Sequence, residues 1–198
     1  AEARRLAAQD IKVVLGLLDA RTVVGNDALT KQLRESVLGD WRALAPRRLD
    51  ELRLGVQERI DRSGELAHLL EPDLKESYGG LRDIVALRAV AASWVTDAPV
   101  AALAPHRDLL LDVRDALHLA TGRATDRLLQ QEQPAVAHRL GIDADDPADD
   151  LLRSVSAAGR AVSYAADSTW HRVERLTRRT GVRERYLEAW LSAMYCSG

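Results

Sequence analysis

Four charged residues flank a glycine pair in the stretch LEPDLKESYGGLRDIVALRAVAASW, which runs from Leu70 to Trp94. Lys75 and Glu76 precede Gly79 and Gly80, and Arg82 and Asp83 follow them. A turn calls for glycine but for none of these charges. Two cations beside a turn whose backbone N–H groups can come close are suited to hold an anion and to stabilise charge developing on it. Glu76 and Asp83 would then orient the cations. The same residues also fit a structural role, in which Arg82 and Asp83 join Lys75 and Glu76 in an internal ion-pair network and the glycines only turn the chain. Residue types alone leave both roles open.

The element that positions these groups is the helix that follows. Advancing about 100° per residue from Leu81, Ile84, Val85, Leu87, Val90 and Trp94 point almost all the way round, which predicts a helix enclosed by others. In its first turn the positive end of the dipole favours Asp83 and disfavours Arg82, so Arg82 requires a partner.

Other chemistry finds less support. Asp143 to Asp150 is the one strongly acidic run and contains Asp-Ala-Asp, a spacing that can hold Mg²⁺. Pro147 fits a first helical position and Asp149 and Asp150 a first turn, so the run is expected to start a helix and not to bind metal. His68, His106, His118, His138 and His171 have no metal-ligand spacing, and no nucleophile triad is readable. No catalytic residue, metal site or cofactor is therefore assigned within this chain.

The remaining segments read as helices. Ile11, Val14, Leu15 and Leu18 predict one ending near Gly25, and Asp27 is expected to cap a short one through Leu29, Leu33 and Val37 to Gly39. Pro46 is expected to open a third with Leu49, Leu52, Val56 and Ile60 on one face, stopped by Ser63-Gly64. After Asp97-Ala98-Pro99 another starts by Pro105, carries Leu109, Leu110, Val113, Ala116, Leu117 and Ala120, and stops at Gly122. Thr125 can cap the next, with a break or kink at Pro134. The longest helix follows Pro147, with Val155, Val162, Thr169 and Leu176 alternating with Leu152, Gly159, Ala166 and Val173. Trp41, Trp94 and Trp170 are expected in the core or at its rim. Beyond Arg179 the apolar spacing of Tyr186, Leu187, Trp190, Leu191 and Met194 fits either a terminal helix or a foreign tail. The fold class is all-α, a mostly up-and-down helical bundle with a long C-terminal helix.

Composition agrees. The 198 residues are 46% hydrophobic and 29% charged, with a net charge of −2 that gives no reason to expect nucleic acid. A single cysteine, Cys196, excludes an internal disulfide, and no apolar run reaches membrane length. These features fit a cytoplasmic protein. The chain opens at Ala1 without Met and is expected to be a piece of a longer one. Only Lys12, Lys31 and Lys75 among its 28 basic residues are lysine. Against that bias toward arginine, the lysine at position 75 is suggestive.

The run Glu71-Pro72-Asp73-Leu74-Lys75-Glu76, then Gly79-Gly80-Leu81-Arg82-Asp83-Ile84, resembles a motif of the bacterial PII uridylyltransferase/uridylyl-removing enzymes. The flanks resemble them too: Leu17-Leu18-Asp19-Ala20-Arg21 with Gly25, and Leu117-His118, Gly122-Arg123 and Asp126-Arg127-Leu128. The resemblance covers about residues 7–176. It implies a helical domain that follows a nucleotidyltransferase domain, with residues 1–25 leaving that upstream domain, a bundle over 26–179, and a tail over 180–198 of uncertain origin. It also implies a PII signalling protein as partner, and UTP or ATP with Mg²⁺ as nucleotide for the parent enzyme. Lys75, Glu76, Gly79, Gly80, Arg82 and Asp83 would face the transferase cleft, with Arg123 and Arg127 weaker candidates whose solvated or capping roles rank higher. The family's Gly-Ser turn with its carboxylate pair, and its His-Asp metal site, are not in this sequence, so the chain alone is expected to be inactive. Two alternatives stand beside this reading: the corresponding domain of glutamine synthetase adenylyltransferase, whose motif is similar, and a non-enzymatic helical interaction module. Glu71-Pro72 and Leu81 favour the PII-modifying family over the glutamine synthetase adenylyltransferases.

Overall fold

A computed structural model describes residues 2–195, with side chains through Arg178. Its helices are α1 (Glu2–Gln9), α2 (Ile11–Leu18), α3 (Asp27–Ser63), α4 (Leu81–Ala92), α5 (Ala104–Thr121), α6 (Gln133–Arg139) and α7 (Pro147–Tyr195), with 3-10 turns at Leu66–His68 and Gln130–Glu132. Among the described residues there is no strand, and backbone pairing between loops is confined to two isolated bridges. The all-α bundle expected from periodicity is what forms. No described helix is long and apolar enough to cross a membrane.

Several boundaries differ from the sequence reading, each for a physical reason. The first helix is two, because the Asp10 carboxylate accepts the Lys12 N–H at 2.7 Å and so caps a new start. That second helix ends at Leu18, well before Gly25. The next starts one residue early, on Asn26, whose side chain accepts from Ala28 N–H at 2.9 Å.

The larger correction is α3, where the expected short helix and its successor are one helix of 37 residues passing through Gly39 and Pro46. Its buried face, Val37, Trp41, Ala45, Leu49, Leu52 and Val56, keeps the same spacing on both sides of the proline. Proline inside a helix costs about 3 kcal/mol. Burying Val37, Leu49 and Leu52, each at most 5% exposed, contributes about 1.5–3 kcal/mol apiece, so packing outweighs the lost hydrogen bond. Trp41 adds an Nε1–H bond to the Ala89 carbonyl at 2.9 Å, which ties α3 to α4.

Helix α4 buries Asp83, Ile84, Ala86, Leu87, Ala89 and Val90, but Arg82 is exposed, so enclosure is incomplete. It ends at Ala92, where Ser93 Oγ donates to the Val90 carbonyl at 2.5 Å. Trp94, predicted to lie in the apolar set of this helix, is instead 74% exposed. It has φ 62 and the Arg42 guanidinium 3.6 Å from its ring centroid. It is a rim residue, while Trp41 and Trp170 are buried.

Helix α5 buries Leu110, Val113, Ala116 and Leu117 and stops at Gly122, which is left-handed. The helix expected from Thr125 does not form. Residues 124–129 carry no helix and pair with the motif loop instead, Leu128 N–H donating to Pro72 at 2.9 Å and Leu74 N–H to Asp126 at 2.8 Å. Pro134 opens α6 and does not kink a longer helix, since a first-turn position needs no N–H.

Helix α7 begins at Pro147, with Asp149 N–H donating to the Asp146 carboxylate at 3.1 Å, so the acidic run acts as a helix start. Its seam of Val155, Gly159, Val162, Ala166, Thr169 and Val173 is buried and packs on α3, α4, α5, α6 and the Leu66–His68 turn. The side chains expected to form a terminal stripe, Tyr186 to Met194, lie outside the described residues.

Candidate functional site

The motif loop, residues 64–80, is closed on itself at its two ends. Gly64 ends α3 and accepts from Tyr78 N–H at 2.8 Å, while Leu66 N–H donates to the Tyr78 carbonyl at 2.9 Å. Between these bonds Asp73 starts a single turn, its Oδ1 accepting from Lys75 N–H at 3.0 Å and Glu76 N–H at 2.7 Å. Ser77, fully buried, spans the loop by donating to the Ser63 carbonyl at 3.0 Å and accepting from Asp73 N–H at 3.2 Å. The first N–H groups of α4 are used within the loop as well. Leu81 donates to Leu74 at 3.0 Å, Arg82 to Lys75 at 3.2 Å and Asp83 to Gly80 at 3.1 Å.

Gly79 has φ 88, and a Cβ there would lie 2.5 Å from the Gly159 carbonyl oxygen of α7. A Cβ on Gly159 would in turn lie 2.7 Å from Leu66. The loop and the longest helix therefore meet backbone to backbone, which only glycine permits. Gly79 N–H donates to Asp83 Oδ2 at 2.8 Å and Gly80 N–H to the Ser77 carbonyl at 2.9 Å. The anion these glycines approach is the chain's own Asp83.

Asp83 is 1% exposed and its charge partner is Arg59 of α3, 6% exposed. The guanidinium reaches both carboxylate oxygens and also donates to the Glu76 carbonyl at 2.7 Å. Burial pushes the Asp83 carboxyl above the usual carboxylate range, opposed by Arg59 and by the Gly79 and Gly80 N–H groups. The sequence reading did not single out Arg59. The signal was its place three residues after Val56 on the Leu49-Leu52-Val56 face, a charge set on an apolar stripe.

Arg82, next to Asp83, turns outward and meets Glu76 Oε1 at 3.0 Å, with the arginine side chain 44% exposed. Both line a groove of about 180 Å³ between α2, α3 and α4 that Lys12, Arg59 and Arg62 also border. Lys75 takes another direction, with Nζ 3.3 Å from Asp126 Oδ2. Asp126 Oδ1 accepts from Arg114 Nε at 2.5 Å, and His118 Nε2 lies 3.8 Å from the same oxygen. Burial would raise the Asp126 carboxyl, but Arg114 and Lys75 prevail and hold it below the usual range. Arg127 pairs with Glu71 at 3.3 Å, and Glu71 also accepts from Gln130 N–H at 3.2 Å. Arg123 is exposed, with its N–H on Thr121 Oγ1 at 3.2 Å and no ion pair among the described residues. Tyr78 is 8% exposed and donates to Asp167 at 2.5 Å, and burial pushes its phenol up.

The candidate residues thus divide. Gly79, Gly80 and Asp83 are joined in one buried unit with Arg59, whereas Lys75 and the Arg82–Glu76 pair keep partly exposed charged ends on two sides of the loop. Among the described residues no group of three His, Cys, Asp or Glu side chains is placed to hold a metal.

A family model described as GlnD PII-uridylyltransferase matches residues 47–182. The bifunctional uridylyltransferase/uridylyl-removing enzyme of Streptomyces coelicolor is 60% identical over 185 residues, which are 93% of this chain and 22% of that protein. Enzymes of the same description from Mycobacterium tuberculosis and Azotobacter vinelandii are 36% and 31% identical, covering 84% and 95% of this chain. The chain spans between 21% and 24% of the length of these curated relatives. No solved structure matches it.

Proposed function

This chain belongs to the GlnD PII-uridylyltransferase family, and from that premise we propose that it is the helical domain serving a nucleotidyltransferase that modifies a PII signalling protein. Transfer of UMP from UTP is the reaction favoured by the relatives' descriptions. The observation that carries the reading is the division within the motif. Leu74, Ser77, Tyr78, Gly79, Gly80 and Asp83 are buried, while Lys75 and Arg82 retain side chains 37% and 44% exposed. A loop so closely bonded is a rigid mount for two cations.

In this role Arg82 and Lys75, on two sides of the loop, each bind and orient an anionic group, of the triphosphate or of the acceptor loop of the PII protein, and Glu76 and Asp126 hold the two cations in place until it arrives. A guanidinium is suited to this because its planar fork matches phosphate oxygens in pairs. The chemistry itself belongs to the transferase domain of the parent, and no step of it is assigned to a residue here.

The test is PII nucleotidylation by the full-length parent carrying Arg82→Ala, beside a thermal melt of the same variant. The expected result is a loss of at least tenfold in activity with a melting temperature within about 2 °C of the unaltered protein, since an exposed pair contributes at most about 1 kcal/mol. Equal loss of both would assign Arg82 to holding the bundle, and full activity with a normal melt would remove it from either role.

A further inference from the structure

The cluster around Asp126 contains more positive charge than one carboxylate requires. Lys75 comes from the motif loop, Arg114 and His118 from one face of α5 at a spacing of four, and Asp126 from the segment that follows. Lys75 and Arg114 are each bonded to a separate oxygen of Asp126, so two full charges meet one. Arg114 uses only its Nε there; its two terminal nitrogens and the remaining protons of Lys75 have no acceptor among the described residues. These side chains are 29% and 37% exposed, within reach of a ligand from solvent. Behind them His118 Nε2 is buried and has no hydrogen-bond partner, and its 3.8 Å from Asp126 Oδ1 is beyond hydrogen-bond length. A buried nitrogen without a partner costs about 1–3 kcal/mol, so its place beside a carboxylate calls for an explanation.

We infer that Lys75 and Arg114 form a binding site for a phosphate group, with Asp126 as the internal counter-ion they exchange for it and His118 as the donor that Asp126 then takes up. When the two cations turn to phosphate oxygens, Asp126 loses two donors in a half-buried setting. His118 is the group placed to replace them, needing to approach by less than 1 Å to reach ordinary hydrogen-bond length. The ligand is a phosphate for reasons of charge and geometry. A guanidinium fork beside an ammonium suits an oxyanion with several oxygens and more than one negative charge, which can displace a singly charged carboxylate. This inference rests on the preceding reading for the identity of the phosphate carrier, a nucleoside triphosphate or the pyrophosphate its transfer releases.

The test is calorimetric titration of the 198-residue chain with pyrophosphate, UTP and UMP at low ionic strength, with His118 observed by ¹⁵N resonance. Pyrophosphate is expected to bind, at least tenfold more weakly to Arg114→Gln and to Lys75→Gln, and equally to Arg5→Gln, an exposed arginine of α1, a helix that packs on α2 and α3. Asp126→Asn is expected to bind several-fold more tightly while melting lower, which an ion cluster of purely structural role would not do. The His118 Nε2 resonance is expected to move on binding. UTP tighter than pyrophosphate assigns the site to the nucleotide, and pyrophosphate as tight as UTP assigns it to the released product; either supports the site. Absence of pyrophosphate and UTP binding at millimolar concentration, or equal affinities in all the variants, overturns it. Where Arg114→Gln fails to fold, Lys75→Gln with its more exposed side chain decides the matter. Failure here leaves the Arg82→Ala outcome in the parent standing, and a parent that does not modify a PII protein leaves phosphate binding to be read as before.

Discussion

Arg82 and Asp83 are adjacent in sequence and each forms an ion pair, but the two pairs are opposites in environment. Asp83 points into the bundle, where Arg59 meets it with both side chains 7% exposed or less. Arg82 points away and meets Glu76 with the two side chains 44% and 33% exposed. A helical step of about 100° separates them. Water around Arg82 screens its attraction to Glu76 and keeps its exchange for another anion inexpensive. Around Asp83 there is no water to replace a lost partner, so its bonds to Arg59 and Gly79 fix the shape of the loop. One motif can therefore hold a structural ion pair and a candidate binding cation in consecutive positions.

The comparison breaks most visibly at its buried side. Arg59→Ala strands Asp83 in the core and is expected to cost about 3–5 kcal/mol, which lowers the melting temperature by roughly 10 °C in a domain of this size. Replacing both partners, Arg59→Met with Asp83→Leu, is expected to recover part of that loss, because an apolar pair carries no desolvation penalty. Recovery stays partial since Gly79 N–H loses its acceptor. Thermal melts of the single and double variants measure this, and a double variant no more stable than Arg59→Ala would show that the cost lies in packing and not in charge.

Acid sharpens the comparison at an intermediate level. The folded Asp126 carboxyl titrates below its unfolded value of 3.8, held down by Arg114 and Lys75 against burial. The stability it contributes is thus fully present above that value and is lost as pH falls through the lower, folded one. Denaturation curves between pH 5 and about pH 2 are expected to be shallower in Asp126→Asn than in the unaltered chain. Identical acid limbs would remove Asp126 from the account. The smallest effect belongs to the exposed pair, where Glu76→Gln is expected to change stability by less than about 1 kcal/mol. A larger loss in chemical denaturation would mean that the Arg82–Glu76 contact is not the solvated pair described.

How much of this was legible depends on what each residue reports locally. The helices were, because apolar residues three and four apart mark a buried stripe whatever the rest of the chain does. Pro46 misled the reading of α3, since a single missing N–H is a local signal and the stripe that outvotes it runs from Val37 to Val56. The stretch after Thr125 misled it as well. Its backbone bonds go to Pro72 and Leu74, more than fifty residues away in the chain, and nothing in its own composition announces that pairing. The motif was conspicuous but its internal partnerships were not. Lys75 and Glu76 look like the natural partners of Asp83 and Arg82, and only one of those pairs forms. Arg59 and Asp126, which claim the other charges, come from elements that sequence spacing places no nearer than any other.

The close seat of Gly79 on Gly159 also sets the register of the bundle. Helix α7 is 49 residues long, and its small and apolar seam repeats every three or four residues, so sliding it by one turn, about 5.4 Å, would still present apolar groups to its neighbours. Such a slip would bring Val155 or Ser163 under the loop in place of Gly159. Their side chains would enter the space where a lone Cβ on Gly159 already comes within 2.7 Å of Leu66. A pair of absent methyl groups thus acts as a key in a keyway. It selects one axial alignment of the longest helix from several that hydrophobic burial alone would accept.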